Sequence, residues 1–98
     1  MKYINNTYTV EKCSLNKVIK KFDTPFFCYS EKKINENIKS FKNSFKSFSP
    51  IICFSTKSNC NLEILKLIKR NGLGADVVSK GELMIALKAG INSKKIVF

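Results

Sequence analysis

From Pro25 onward the apolar positions change period repeatedly, from short runs that suit a buried strand to spacings that suit one face of a helix. Residues 26–29 form the first run, directly after Thr24-Pro25. Ser30 then offers a helix N-cap, and Ile34, Ile38, Phe41 and Phe45 follow as one apolar stripe. Ser49-Pro50 stops that helix, and residues 51–54 make a second apolar, β-rich run. Asn61 suits the cap of the next helix, with Glu63 in its first turn and Ile64, Leu65 and Ile68 as its inner stripe. Gly72 falls just past its end, where a left-handed residue is wanted. Residues 75–78 predict a third strand, Leu83, Met84 and Leu87 line a third helix closed by Gly90, and residues 95–98 begin a fourth strand.

Strand and helix therefore alternate three times, with one more strand, and the connections are short. Such alternation implies parallel strands joined by right-handed crossovers. Strand starts at Phe26, Ile51, Ala75 and Lys95 give a repeat of about 24 residues, which suits a (β/α)8 barrel of ~250 residues. An open doubly wound sheet competes, but the glycine fingerprint it often carries after its first strand is missing. The expected fold is α/β: the N-terminal part of a TIM-type barrel, about three and a half βα units over residues 25–98. Residues 1–24 lie outside the rhythm, with a weak strand at 8–10 and a short helix (Leu15, Val18, Ile19, Phe22) capped by Ser14. That segment is expected to pack with another domain or over the barrel end. An incomplete barrel keeps an open apolar edge, so the chain is expected to be a fragment, inactive alone and prone to associate.

Composition narrows the function classes. An apolar content of 44% over 98 residues suits one soluble domain, and no run reaches the ~18 apolar residues of a membrane span. The first ten residues lack the apolar core of a signal peptide, so a cytoplasmic location is expected. Cys13, Cys28, Cys53 and Cys60 are separated by 15, 25 and 7 residues, without the close pair typical of zinc sites, and the chain has no His. Reduced, structural thiols are the expectation, and no metal site. A net charge of +11 raises a small basic nucleic-acid-binding module as an alternative. Only one of the 18 basic residues is Arg, however, and the lysines are dispersed along presumed outer helix faces.

Two segments carry chemistry. The second strand runs into Phe54-Ser55-Thr56-Lys57-Ser58-Asn59, and barrel active sites gather at the carboxyl ends of strands. Free Lys has a pKa near ~10.4, which desolvation or nearby cations lower enough for amine chemistry, including imine formation with an aldehyde cofactor. A lysine that simply reaches solvent from a strand end is the plainer alternative. The third strand contains Asp76, one of two Asp residues, and a carboxylate there calls for a cationic partner, with Lys57 as the natural candidate. Ser79 and Glu82 have the spacing of a capping box, which accounts for both without a catalytic role.

Together these segments resemble the diaminopimelate decarboxylase family, within the alanine-racemase-like fold group of pyridoxal-phosphate enzymes. The resemblance covers residues 24–98. Thr24-Pro25-Phe26-Phe27-Cys28-Tyr29 is similar to the family's opening barrel strand, and Phe54-Ser55-Thr56-Lys57-Ser58-Asn59 to its cofactor-lysine segment, commonly aromatic-Ala-x-Lys-Ala-Asn. Gly74-Ala75-Asp76-Val77-Val78-Ser79-Lys80-Gly81-Glu82-Leu83 resembles its third-strand segment, and Ala89-Gly90-Ile91 with Lys95-Ile96-Val97-Phe98 the next. Asp23 replaces the usual Gly before Thr-Pro, and Ser55 and Ser58 replace the alanines around the lysine. Cys60-Asn61-Leu62-Glu63 stands where related racemases carry a Tyr-Gly-His-Gly-like run, which favours decarboxylases. Ornithine and arginine decarboxylases share the lysine motif and are the nearest competitors.

The resemblance implies pyridoxal 5'-phosphate as cofactor, Lys57 as the catalytic lysine that binds it, and Asp76 beside it. It further implies decarboxylation of meso-diaminopimelate to L-lysine and carbon dioxide by a homodimer, with a small amino-acid substrate and neither nucleic acid nor membrane as partner. The phosphate loop, the partner of the ring nitrogen and the interface cysteine of the family are expected beyond Phe98, so none of the four cysteines takes that role.

Overall fold

The computed structural model describes residues 2–98; Met1, the first residue of the N-terminal segment, lies outside them. The chain divides into two compact units, Met1–Glu36 and Asn37–Phe98.

The first unit is built on an antiparallel sheet of β1 (Lys2–Ile4), β2 (Thr7–Val10) and β3 (Cys13–Ser14), in that order. Asn5 and Asn6 both take positive φ (47° and 58°), as a two-residue hairpin turn matched to strand twist requires. Tyr3 and Tyr8 are register partners across the hairpin, their rings edge-to-face at 4.9 Å. The weak strand expected at 8–10 is thus the centre of a three-stranded sheet. Ile4-Asn5-Asn6-Thr7 was the available turn signal. Helix α1 (Leu15–Ile19) follows, with Ser14 at its N-cap but no bond from the Ser14 hydroxyl.

Helix α2 (Glu31–Ser44) begins here with two caps. The Ser30 hydroxyl oxygen accepts from the Lys33 N–H at 3.0 Å, as expected of Ser30. The Glu11 carboxylate, brought round by a left-handed residue (φ 57°), accepts from the Lys32 N–H at 2.9 Å and the Ser30 hydroxyl at 2.8 Å. These bonds, the Lys32 N–H foremost, hold the Glu11 carboxyl below its ordinary range.

Residues 26–29 do not form the expected strand. Their burial still alternates, Phe26 and Cys28 half-buried against exposed Phe27 and Tyr29, which is the period of an extended chain. What is missing is a ladder partner among the described residues. The apolar run reports side-chain alternation, whereas a strand is defined by its neighbour.

The second unit carries a parallel sheet of β4 (Cys53–Ser55), β5 (Gly74–Asp76) and β6 (Ile96–Val97). Strands neighbour one another in chain order, with α3 (Leu62–Arg70) and α4 (Lys80–Lys88) as the crossovers. No reversal of strand order occurs, as an arc of a barrel requires and a doubly wound sheet does not allow. The arc is open, with three strands rather than four.

Both helices begin and end as their sequences dictate. The Asn61 side chain caps α3 by accepting from the Glu63 N–H at 2.9 Å, and Ser79 caps α4 by accepting from the Glu82 N–H at 3.2 Å. Gly72 (φ 75°) and Gly90 (φ 83°) end them in left-handed turns, after which Leu73 and Ile91 turn into the core. Leu65, Ile68, Leu73, Ala75, Val77, Ala86, Ala89 and Ile91 form that core. The inner face of α4 thus differs from expectation. Met84 and Leu87 are 61% and 47% exposed, and Ala86, with Ala89 just past the helix end, takes the inward positions beside Leu83. Small side chains let the helix lie close to the sheet, a feature that ranking residues by hydrophobicity overlooks.

Gly74 marks the tightest approach in the sheet. A Cβ there would overlap the Lys95 backbone oxygen and press on Cys53 Sγ at 2.9 Å, so relief requires β6 to move. Gly74→Ala is therefore expected to cost about 1–3 kcal/mol of unfolding free energy by overpacking. Gly81→Ala, whose Cβ would meet only Ser79 Oγ in ordinary contact at 4.0 Å, should be neutral or stabilising by up to ~1 kcal/mol. Denaturant midpoints of the two variants check the contrast.

Candidate active site at the strand ends

The register Ser55↔Asp76↔Val97 brings the carboxyl ends of β4, β5 and β6 level. Beyond Ser55 the chain leaves the strand and winds into a 3-10 turn, Thr56–Ser58. The Asn59 N–H donates to the Thr56 carbonyl at 3.0 Å, and the Ser58 hydroxyl to the Ser55 carbonyl at 2.7 Å. Lys57 rides on this turn, exposed to solvent, and Asp76 ends β5, half-buried.

The expected ion pair between them does not form within 4.0 Å, and neither side chain has a hydrogen-bond partner among the described residues. The physical reason is the turn: the chain leaves β4 after Ser55, and Lys57 stands exposed on the 3-10 winding that follows. The structure thus places an unpaired amine and an unpaired carboxylate at adjacent strand ends.

Thr56 and Glu82 form the polar centre of this region. Thr56 is fully buried (0% exposed), and its hydroxyl lies 2.9 Å from the Asp76 carbonyl oxygen and 2.7 Å from Glu82 Oε2. One proton serves both acceptors, and the shorter bond goes to the charged one. The Val78 N–H also donates to Glu82 Oε2, at 2.9 Å. Ser79 therefore caps α4 as its spacing predicted, but Glu82 reaches further than the capping reading allowed. The Thr56 hydroxyl first, then the Val78 N–H, with a smaller share from the Lys57 charge, hold the Glu82 carboxyl below its ordinary range against the opposing effect of burial. The capping-box spacing flagged Glu82, but nothing in the sequence pointed across to Thr56.

All four cysteines are free thiols. Cys53 Sγ donates to the Lys95 carbonyl at 3.6 Å, and burial, reinforced by the Asp76 charge, pushes its pKa up. A thiol so held stays protonated and unreactive.

An exposed amine on a strand-end turn is the nucleophile through which an aldehyde cofactor is bound, so Lys57 fits such a group. Residues 31–98 match the family described as pyridoxal-dependent decarboxylase, pyridoxal binding domain. The chain belongs to this family, so its fold is that of a pyridoxal-binding domain. More particularly, it is 47% identical over 77 residues to diaminopimelate decarboxylase of Helicobacter pylori strain J99, covering 79% of this chain and 19% of that protein. It is 36% identical over 98 residues to the enzyme of the same name from Aquifex aeolicus, covering 100% of this chain and 23% of the other. The crystal structure of diaminopimelate decarboxylase from M. jannaschii superposes with a TM-score of 0.93 at 34% identity, over 99% of this chain and 24% of that one. The H. pylori enzyme complexed with L-lysine gives 0.81 at 40% identity, over 86% and 21%. The chain spans about a fifth to a quarter of the length of these relatives.

Because the Glu82 carboxyl is held acidic in the folded state, its stabilisation is present above its unfolded value of ~4.3 and lost as pH falls below it. Glu82→Gln should accordingly be less stable than the native protein at neutral pH, with a shallower loss of stability on acidification. Urea midpoints between pH 7 and 3 read this out; parallel curves would contradict it.

Proposed function

We propose that this protein is a pyridoxal-phosphate-dependent diaminopimelate decarboxylase, and that Lys57 is its cofactor lysine with Asp76 beside it. The observation that carries the reading is the unpaired Lys57 amine at the carboxyl end of a parallel strand, next to the unpaired Asp76 carboxylate. Membership of the pyridoxal-binding family and the shared name of its relatives support it. The substrate is meso-diaminopimelate and the products are L-lysine and carbon dioxide, a lysine-biosynthetic step. The L-lysine complexes of two relatives support a small amino-acid ligand rather than nucleic acid.

In this reading Lys57 supplies the amine that binds the cofactor aldehyde, with loss of water. Bound pyridoxal phosphate supplies an electron sink for the pair left when carbon dioxide departs. Asp76 places negative charge at the neighbouring strand end, where it favours a cation on the amine side of the site. Residues 25–98 contribute to the barrel and residues 1–24 lie outside it. The enzyme works as a cytoplasmic homodimer; among the described residues no helix is long and apolar enough to cross a membrane.

The protein expressed from its native gene, supplied with pyridoxal phosphate, should absorb near ~420 nm through the lysine–cofactor linkage and release carbon dioxide from meso-diaminopimelate. Lys57→Ala should lose both. Absorbance that persists in the variant would sink the Lys57 assignment, and a preference for ornithine or arginine would sink the substrate.

A further inference from the structure

Thr56 is an unexpected residue for its place. A fully buried hydroxyl costs free energy unless it is bonded, and the isosteric Val would fill the same space without that cost. The hydroxyl is bonded, and to unusual partners: the carbonyl of Asp76 and the carboxylate of Glu82. The same Glu82 oxygen takes the Val78 N–H. The Thr56 hydroxyl thereby joins the turn that carries Lys57 to the strand end that carries Asp76 and to the first turn of α4.

Helix capping does not account for this arrangement. Ser79 already satisfies the Glu82 N–H, and Glu82, besides taking the Val78 N–H, accepts from a residue on the turn after β4, 26 positions away. The other bonds of the 3-10 turn stay within its own segment: the Asn59 N–H and the Cys60 thiol donate to the Thr56 carbonyl, and the Ser58 hydroxyl to the Ser55 carbonyl, whereas the Thr56 hydroxyl reaches across to β5 and α4.

We propose that Thr56 and Glu82 are positioning residues for Lys57: their hydrogen bond fixes the lysine-bearing turn against the end of β5, so that the amine is presented in one orientation to an aldehyde held at the strand ends. The proposal rests on the reading of Lys57 as the cofactor lysine. Its physical content is preorganisation, because an amine already aimed reacts faster than one that must first be ordered.

The test follows cofactor capture rather than turnover. Cofactor-free protein expressed from its native gene is mixed with pyridoxal phosphate, and growth of the ~420 nm band is recorded per folded molecule, folding being checked by circular dichroism. Thr56→Val should slow capture at least about tenfold, the loss expected of a hydrogen bond to a charged group. Thr56→Ser keeps the hydroxyl and should recover most of that loss. Glu82→Gln keeps the shape with a weaker acceptor and should slow capture about threefold. Native-rate capture by folded Thr56→Val overturns the proposal; where that variant does not fold, native-rate capture by Glu82→Gln does so. Equal slowing by the Val and Ser variants would assign a packing role and overturn it as well. Lys57→Ala separates the two claims. If it captures cofactor like the native protein, the lysine assignment fails, whereas normal capture on Lys57 together with an unaffected Thr56→Val removes only the positioning role.

Discussion

The strand ends of this protein are organised around one carboxylate oxygen. Glu82 Oε2 accepts from the buried Thr56 hydroxyl and from the Val78 N–H, while the Thr56 hydroxyl also lies within bonding distance of the Asp76 carbonyl. A network of this kind is costly when half made and specific when complete, because each member is satisfied only if the others are in place. Here no described buried side-chain polar atom lacks a partner. The apolar core beneath, centred on Leu65, Ile68, Ala75 and Val77, holds the helices to the sheet without fixing where the loops above it go. The polar bonds supply that second kind of order.

Backbone proximity is the other constraint. Gly74 admits the Lys95 carbonyl at a distance no Cβ would allow, and Ala86 and Ala89 bring the α4 segment down on the sheet. These small residues set the spacing of the arc, and the register they permit levels Ser55, Asp76 and Val97. Chemistry then follows from position. Lys57 stands exposed on the 3-10 turn that follows β4, and it makes no ion pair with Asp76 at the end of β5.

Much of the second unit was legible in the sequence. Asn61, Gly72, Ser79 and Gly90 fixed both helices because caps and left-handed turns depend on local residue chemistry, and the parallel order followed from the alternation of elements. Features that depend on a distant partner were not legible. The run at 26–29 alternates like a strand, yet a ladder needs a neighbour that no local pattern specifies. Met84 and Leu87 looked like core by hydrophobicity, but the sheet selects the small face of α4. The Lys57–Asp76 ion pair was expected from adjacent strand ends alone, which does not specify the turn that follows β4, and the Thr56–Glu82 bond spans 26 positions with no motif to announce it.

The most direct measurement is chemical. Protein expressed from its native gene and loaded with pyridoxal phosphate is reduced with borohydride, which fixes the cofactor to whichever amine holds it, and the modified peptide is identified by mass spectrometry. In a chain with 18 basic residues, chance modification would fall on many exposed lysines. A site built around Lys57 should give one dominant labelled peptide, the one containing Lys57. Label spread across the surface lysines, or concentrated on any other residue, would contradict it.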